Sequence, residues 1–117
     1  DALVKVRAAM DRINPDAQLV LLQASCHAQN LLDYFGALKH FTFLGSSVRD
    51  QVGTADFMEH LLRFLSGKGD DASWFDVYLS LANGPYCRSD TYPDLGKVWV
   101  APVYRGEDRV EYTPPRP

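Results

Sequence analysis

Residues 54–84, TADFMEHLLRFLSGKGDDASWFDVYLSLANG, decide the fold class that the sequence predicts. Their apolar residues recur every three or four positions, which is the spacing of one face of an α-helix. A Gly-Lys-Gly segment at 67–69 divides the stretch, and Ser73 with Asp76 forms a capping-box pattern after it. The stretch therefore predicts two amphipathic helices with buried faces formed by Phe57, Met58, Leu61, Leu62 and Leu65 and by Trp74, Phe75, Tyr78, Leu79 and Leu81.

The N-terminal part is predicted to add further helices. Residues 2–13 carry apolar side chains at helical spacing, and Asn14-Pro15 both stops this helix and caps the next one. A second helix is predicted over 15–38, with Cys26 in its apolar stripe. The segment 40–44 is aromatic and β-branched, so a strand or a loop is open there. Serines at 46 and 47 then offer an N-cap for a short helix, and Thr54 caps the helix after it.

Composition changes after residue 85. Residues 85–96 are rich in proline and polar side chains and are predicted to form a loop, whereas 97–113 is predicted to form a β-hairpin turning at Arg105-Gly106-Glu107-Asp108. The tail 114–117 is expected to be extended and mobile. The predicted fold class is mainly α, a four- to five-helix bundle with a C-terminal β-hairpin, formed by one domain over 1–117 whose helical part is 1–84.

Composition limits the classes of function. The chain has 117 residues, of which 46% are hydrophobic and 23% charged, with a formal net charge of −3. Lysines and arginines form no cluster, so nucleic-acid binding is not expected. No run is apolar enough to cross a bilayer and no signal peptide is recognised, so a soluble cytoplasmic protein is expected. The two cysteines lie far apart in sequence and do not form a disulfide framework.

A thiol hydrolase is the enzymatic alternative. It would need Cys26 or Cys87 as nucleophile and His40 or His60 brought close by the fold. His27 is adjacent to Cys26, and on a helix the two side chains would point about 100° apart. No local pattern signals a thiol–imidazole pair, so the sequence favours inert thiols and surface histidines.

Metal and carboxylate sites are not predicted. Three histidines and two cysteines match no zinc-ligand spacing, so no metal and no cofactor is expected. Asp56, Asp70 and Asp71 lie at predicted helix N-termini, where the helix dipole alone favours acidic residues. The sequence therefore predicts no catalytic residues.

Parts of residues 17–84 resemble caspase-recruitment domains (CARDs), in the version found in the RNA-sensing helicase receptors of innate immunity. The residues that carry the resemblance are Leu32-Asp33-Tyr34, Thr42-Phe43-Leu44, Val48-Arg49-Asp50-Gln51-Val52, Leu61-Leu62-Arg63-Phe64-Leu65, and residues 73–84 with their Trp-Phe helix start. The chain departs from the family by an insertion over 35–41, an extra or displaced first helix, no evident sixth helix, and the C-terminal hairpin.

The resemblance implies a death-fold bundle without catalytic residues, which assembles through opposed charged patches. The function expected from it is a non-enzymatic protein–protein interaction module, a signalling adaptor with a protein partner or self-association. An alternative is a small microbial or viral regulatory protein that grips its partner through the hairpin, with Trp99 and Tyr104 as contacts. The charged patches implied by the resemblance would use Arg49, Asp50, Glu59, Arg63, Lys68, Asp70 and Asp71.

Overall fold

A mixed β-sheet forms the centre of the protein. The computed structural model describes residues 2–35, 38–51, 56–68, 71–92 and 96–115, with the main chain alone at Lys68, at 88–92 and at 96–99. Its elements in chain order are α1 (Ala2–Ile13), β1 (Leu19–Gln23), a 3₁₀ helix (Ala28–Leu31), α2 (Leu32–Phe35), β2 (Phe41–Gly45), α3 (Phe57–Lys68), α4 (Trp74–Asn83), β3 (Arg88–Tyr92), β4 (Gly96–Val100), β5 (Val103–Arg105) and β6 (Glu111–Tyr112).

The sheet has the strand order β1-β2-β5-β6. Strands β1 and β2 run parallel, with Leu19 opposite Phe41. Strand β5 is antiparallel to β2, and β6 is antiparallel to β5. Strands β3 and β4 form a separate antiparallel pair. The connection from β1 to β2 carries the 3₁₀ helix and α2, which makes this part a β-α-β unit.

Helices cover both faces of the sheet. On one face, Leu44 of β2 belongs to a cluster with residues of α3 and α4, including Phe57 and Leu81. On the opposite face, Phe41 and Phe43 pack with residues that include Ala28, Leu32 and Val103. Strand β2 is buried along its whole length because both of its faces are covered. The protein is therefore a three-layer α/β structure.

The predicted mainly-α bundle is wrong. The long second helix over 15–38 is replaced by β1, a turn, the 3₁₀ helix and α2. The physical reason lies in Leu19-Val20-Leu21-Leu22, a short continuous apolar run. Such a run fits a strand of a covered parallel sheet as well as a helix, and periodicity alone does not separate the two. The segment 40–44, left open between strand and loop, contains most of β2.

The predicted hairpin over 97–113 is also wrong. The strand predicted from 97 to 104 is divided at Ala101-Pro102: β4 pairs with β3, inside the predicted loop, and β5 pairs with β2. Proline lacks the N–H that a continuing ladder needs, so the chain changes partner there. The C-terminal part of the predicted hairpin is present, since β5 and β6 form an antiparallel pair across a turn at residues 106–110.

Three predicted helices are confirmed, in α1, α3 and α4. The capping box of α4 is formed: the Asp76 N–H donates to Ser73 Oγ at 3.1 Å, and the Ser73 N–H donates to Asp76 Oδ2 at 3.0 Å. The short helix predicted after Ser46 is not formed over 46–51, which contains bends and turns. Its continuation and the Thr54 cap lie outside the described residues.

Candidate functional site

The carboxyl ends of β1 and β2 lie at the same edge of the sheet, because the two strands are parallel. Ligands of open α/β sheets bind at this edge, outside the carboxyl ends of the strands. Here β1 is followed by Ala24-Ser25-Cys26-His27, and β2 is followed by Ser46-Ser47-Val48-Arg49. The first of these loops carries an exposed thiol, that of Cys26. We therefore take this edge as the candidate site.

Two buried serines hold the Cys26 loop in place. The Ser25 N–H donates to Ser46 Oγ at 3.0 Å, and Ser46 Oγ donates to the Ser25 carbonyl at 3.0 Å. Ser47 Oγ donates to the same carbonyl at 2.9 Å and accepts from the Ala28 N–H at 3.1 Å. Both serines are fully buried. Buried hydroxyl groups that use both donor and acceptor capacity fix their partners firmly, so the loop after β1 is rigidly attached to the loop after β2.

His27 has an unusual backbone and a fixed ring. Its φ is 54° and its ψ is 37°, in the left-handed region that few residues other than glycine adopt. Its N–H donates to the Gln51 carbonyl at 2.8 Å. Its Nδ1 lies 2.7 Å from the Arg49 carbonyl oxygen, and because that oxygen can only accept, Nδ1 carries the proton. In the neutral ring, Nε2 is then the acceptor, on an exposed side chain.

The amide of Cys26 differs from its neighbours. The N–H groups of Ser25, His27, Ala28 and Gln29 all donate to atoms of the 46–51 loop. Within the described chain, the structure gives the Cys26 N–H no acceptor. On this exposed, rigid turn, the nucleophile candidate therefore carries a backbone donor for which none of the described residues provides an acceptor. A backbone N–H next to a nucleophile is the usual donor of an oxyanion hole.

The two histidines predicted as partners of the thiols pair with carboxylates. His40 precedes β2 and so lies at the opposite edge of the sheet, about 17 Å from the carboxyl ends at ~3.3 Å per residue. It lies 3.7 Å from Glu107. His60 Nε2 lies 3.3 Å from Asp56 Oδ2, and its ring lies 5.8 Å from that of Tyr86. Tyr86 donates to the Ser46 carbonyl, so His60 belongs to the carboxyl edge and His40 does not.

Arg49, predicted in a charged docking patch, bonds within the molecule instead. Its Nη1 lies 2.7 Å from Asp33 Oδ2, and its Nη2 lies 3.6 Å from Glu111 Oε1. Its backbone N–H donates to Gln29 Oε1 at 3.2 Å. The side chain thus links the loop after β2 to α2 and β6. Exposed ion pairs of this kind contribute about 0–1 kcal/mol each, so their effect is mainly to orient the loop.

Among the described residues, those of the predicted patch lie on several different elements. Glu59 and Arg63 pair with each other at 2.6 Å on the exposed face of α3, as their spacing predicts. Asp71 lines a cleft of about 500 Å³ between α3 and α4, with Asp76. Asp50 is exposed in the loop after β2. The side chain of Lys68, residue Asp70, and the side chain of Trp99 lie outside what the structure describes.

Tyr104, predicted as a contact of the hairpin, lies in an aromatic cluster. Its ring centroid lies 5.3 Å from that of Phe75, 5.8 Å from that of Tyr78 and 5.9 Å from that of Tyr112. Burial, followed by the charge of Cys87, raises the pKa of Tyr78 to about 12. Burial, followed by the charge of Asp108, raises the pKa of Tyr104 as well. The cluster is a packing feature that joins α4 to β5 and β6.

Sequence reasoning missed the features that build this edge. The sequence predicts Cys26 to be an inert thiol on an apolar helix, whereas the structure exposes it in a loop. Ser46, Ser47 and Tyr86 were not predicted as functional positions at all. One signal was available: a fully apolar run at 19–22 and a largely apolar one at 41–44 are each followed by a polar loop, which is typical of parallel strands with a site at their carboxyl ends.

Comparison of the chain with protein-family models, with curated proteins and with solved structures finds no match. Among the described residues, no three His, Cys, Asp or Glu side chains are grouped so that they could hold a metal ion. A search of the same residues finds no helix with the length and apolar character needed to span a membrane. The fold and the edge around Cys26 therefore define the class, an α/β protein with a thiol at the carboxyl ends of its parallel strands.

Proposed function

We propose that the chain provides the nucleophile of a cysteine-dependent hydrolase, with Cys26 Sγ as the attacking atom. The observation that carries the proposal is the exposed Cys26, held on a rigid turn at the carboxyl end of a parallel strand with an N–H that no described residue accepts from. Cys87 is half-buried beside the core and lies on no such turn. The sequence favours an inert Cys26 because it predicts a packed helix at this position, and that reason does not hold for a residue in a loop.

The reaction follows from these groups. The Cys26 thiolate attacks the carbonyl carbon of an acyl substrate, the C–S bond forms, and the carbonyl electron pair moves onto oxygen. The Cys26 N–H donates to that oxygen. Collapse of the tetrahedral intermediate breaks the bond to the leaving group, which takes a proton from an imidazolium. Water then hydrolyses the thioester and returns the thiol and a carboxylic acid.

The base must be an imidazole close to the thiol. His27 is adjacent to Cys26, and its ring is oriented by the Arg49 carbonyl with Nε2 as acceptor. His60 is oriented by Asp56 and contacts Tyr86 at the same edge. Substitution of each histidine to alanine distinguishes the two candidates, since loss of the base slows alkylation of the thiol at neutral pH.

The test uses p-nitrophenyl acetate and iodoacetamide with the wild-type chain and the matched variants Cys26→Ser and Cys87→Ser. We expect an acetyl thioester on Cys26, detected by mass spectrometry, in the wild type and in Cys87→Ser, and no thioester in Cys26→Ser. We expect Cys26 to be alkylated at least about tenfold faster than free cysteine at neutral pH. Alkylation of Cys26 at the rate of free cysteine, without a thioester, would overturn the proposal.

A second proposal is the predicted protein-interaction module, and it is supported by a different surface. Met58 and Leu62, one turn apart on α3, are exposed by 37% and 56%, and Leu79 of α4 is exposed by 38%. The exposed Glu59–Arg63 pair lies on the same helix. Exposed apolar residues beside charged ones are typical of a docking face. The bundle assembly that the CARD resemblance implies is not carried over, because the fold is not a bundle.

Light scattering after gel filtration tests this second proposal. Assembly through α3 would give concentration-dependent oligomers that both Leu62→Asp and Arg63→Glu abolish, while Arg12→Glu on α1 leaves them intact. A wild-type chain that stays monomeric over the whole concentration range would contradict self-association. Truncation at Gly96, suggested by the predicted hairpin, is not a usable test, because β5 contains the fully buried Val103 and its loss would disrupt the core.

A further inference from the structure

The outer edge of β1 is an unfinished part of the sheet. In the order β1-β2-β5-β6, β1 has a described neighbour on one side only. The Leu19 N–H donates to the His40 carbonyl at 2.7 Å, and the Gln23 carbonyl accepts from the Ser46 N–H at 2.9 Å. Since alternate residues of a strand point their main-chain groups to alternate sides, Val20 and Leu22 direct their N–H and C=O groups away from β2.

The side chains of β1 are those of an inner strand. Leu19, Val20, Leu21 and Leu22 are consecutive, and every residue of β1 is half-buried. Leu19 and Leu21 pack on one face of the sheet and Leu22 on the other. A parallel strand that is apolar on both faces belongs inside a sheet, whereas natural edge strands carry charges, prolines or bulges. The sequence of β1 has none of these.

Helix α1 is incompletely covered in the same region. Arg7 is its only buried residue, held by the Ala17 carbonyl at 2.5 Å and the Lys39 carbonyl at 3.4 Å. Leu3 packs on the face of the sheet that also carries the 3₁₀ helix and α2. Val6 and Ile13, two turns apart, remain exposed by 45% and 88%. An apolar flank on a short helix needs a partner, because helices of about 12 residues are marginal by themselves.

We infer that a further β-strand, contributed by the polypeptide upstream of α1, pairs in parallel with the outer edge of β1. The connection from β1 to β2 places its helices on the face to which Leu3 of α1 packs. β-α-β crossovers are right-handed in about 98% of cases. A strand that reaches β1 through α1 on that same face must therefore lie on the side of β1 opposite β2. Its carboxyl end then adjoins the Cys26 loop.

Amide hydrogen exchange on Val20 and Leu22 tests the pairing, independently of any chemistry at Cys26. Two polypeptides are compared: the 117-residue chain and the same chain extended upstream by the residues that its gene encodes. In the extended polypeptide we expect both amides to exchange at least about 100-fold more slowly than in the shorter chain. The amide of Leu21, which faces β2, is protected in both and serves as the internal reference.

Substitution of Val20 gives the second readout. Val20→Pro removes an N–H that faces away from β2, so we expect a small effect on the stability of the shorter chain and a large one on the extended polypeptide. Val20→Thr keeps the N–H and is the control. Three results would overturn the inference: equal exchange in both polypeptides, protection of Val20 through a concentration-dependent dimer of the shorter chain, or a gene with no coding sequence upstream.

Discussion

The hydroxyl of Tyr86 donates a hydrogen bond to the carbonyl oxygen of Ser46. Tyr86 follows α4 and Ser46 follows β2, so this bond ties the helical layer to the loop that holds the Cys26 turn. Both residues are buried, and the Tyr86 ring also packs against Phe57 with a centroid distance of 5.6 Å. The bond therefore connects the hydrophobic core to the candidate site.

Replacement of Tyr86 by phenylalanine keeps the ring and leaves the buried Ser46 carbonyl without this donor. We expect a loss of about 1–3 kcal/mol in the free energy of unfolding, measured by urea denaturation. Tyr34→Phe is the matched control, because the Tyr34 side chain is 75% exposed, and we expect no change there. Equal stability of Tyr86→Phe and wild type would mean that the bond contributes nothing in solution.

Ser47 offers a test of the Cys26 turn itself. Ser47→Ala removes the donor to the Ser25 carbonyl and the acceptor of the Ala28 N–H, both at a fully buried position. We expect a loss of about 1–3 kcal/mol and faster amide exchange at Ala28. Ser66→Ala, on the exposed side of α3, is the control. Unchanged exchange at Ala28 would show that Ser47 does not hold the turn.

Some elements of this fold are specified by neighbouring residues, and others depend on residues far along the chain. The start of α4 is specified locally, since Ser73 and Asp76 satisfy each other's main-chain groups and need no tertiary partner. The state of residues 19–22 is not local: four consecutive apolar residues become a strand only because β2 lies beside them. The helix propensity of the flanking residues favours a helix at 19–22, but pairing with β2 makes this segment a strand.

The helix predicted over 15–38 also hides the candidate site. With residues 15–38 taken as a helix, Cys26 falls on an apolar stripe and His27 points away from it. With β1 ending at Gln23, both residues enter a loop at the carboxyl edge. The serines that fix this loop are about 20 residues further along the chain, and their contacts depend on the parallel register. Sequence spacing alone does not contain that register.

Arg7 is predicted here to anchor α1. The Arg7 side chain is 4% exposed, and its guanidinium bonds to the carbonyls of Ala17 and Lys39, with Asp11 beside it at 2.7 Å. Arg7→Met leaves those carbonyls without this donor, so we expect a loss of about 1–3 kcal/mol and faster amide exchange within α1. Arg12→Met, exposed on the same helix, is the control. If both variants exchange alike, α1 is held by apolar contacts alone.

Tyr78 makes stability depend on pH in the alkaline range. Its pKa is 10.0 as an ordinary side chain and is raised to about 12 in the fold, chiefly by burial. As pH rises between these values, the unfolded chain loses the phenolic proton first, so the free energy of unfolding falls; below pH 10.0 the contribution is fully present. We expect the free energy of unfolding to fall by about 2 kcal/mol because of this group.

Tyr78→Phe should remove that part of the fall. Tyr104, whose pKa is also raised, should leave a smaller decrease of stability with pH in the same direction. Urea denaturation at several pH values, with tyrosinate absorbance recorded in parallel, measures both quantities. A folded protein in which Tyr78 ionises at the ordinary value would contradict the burial that the structure gives it.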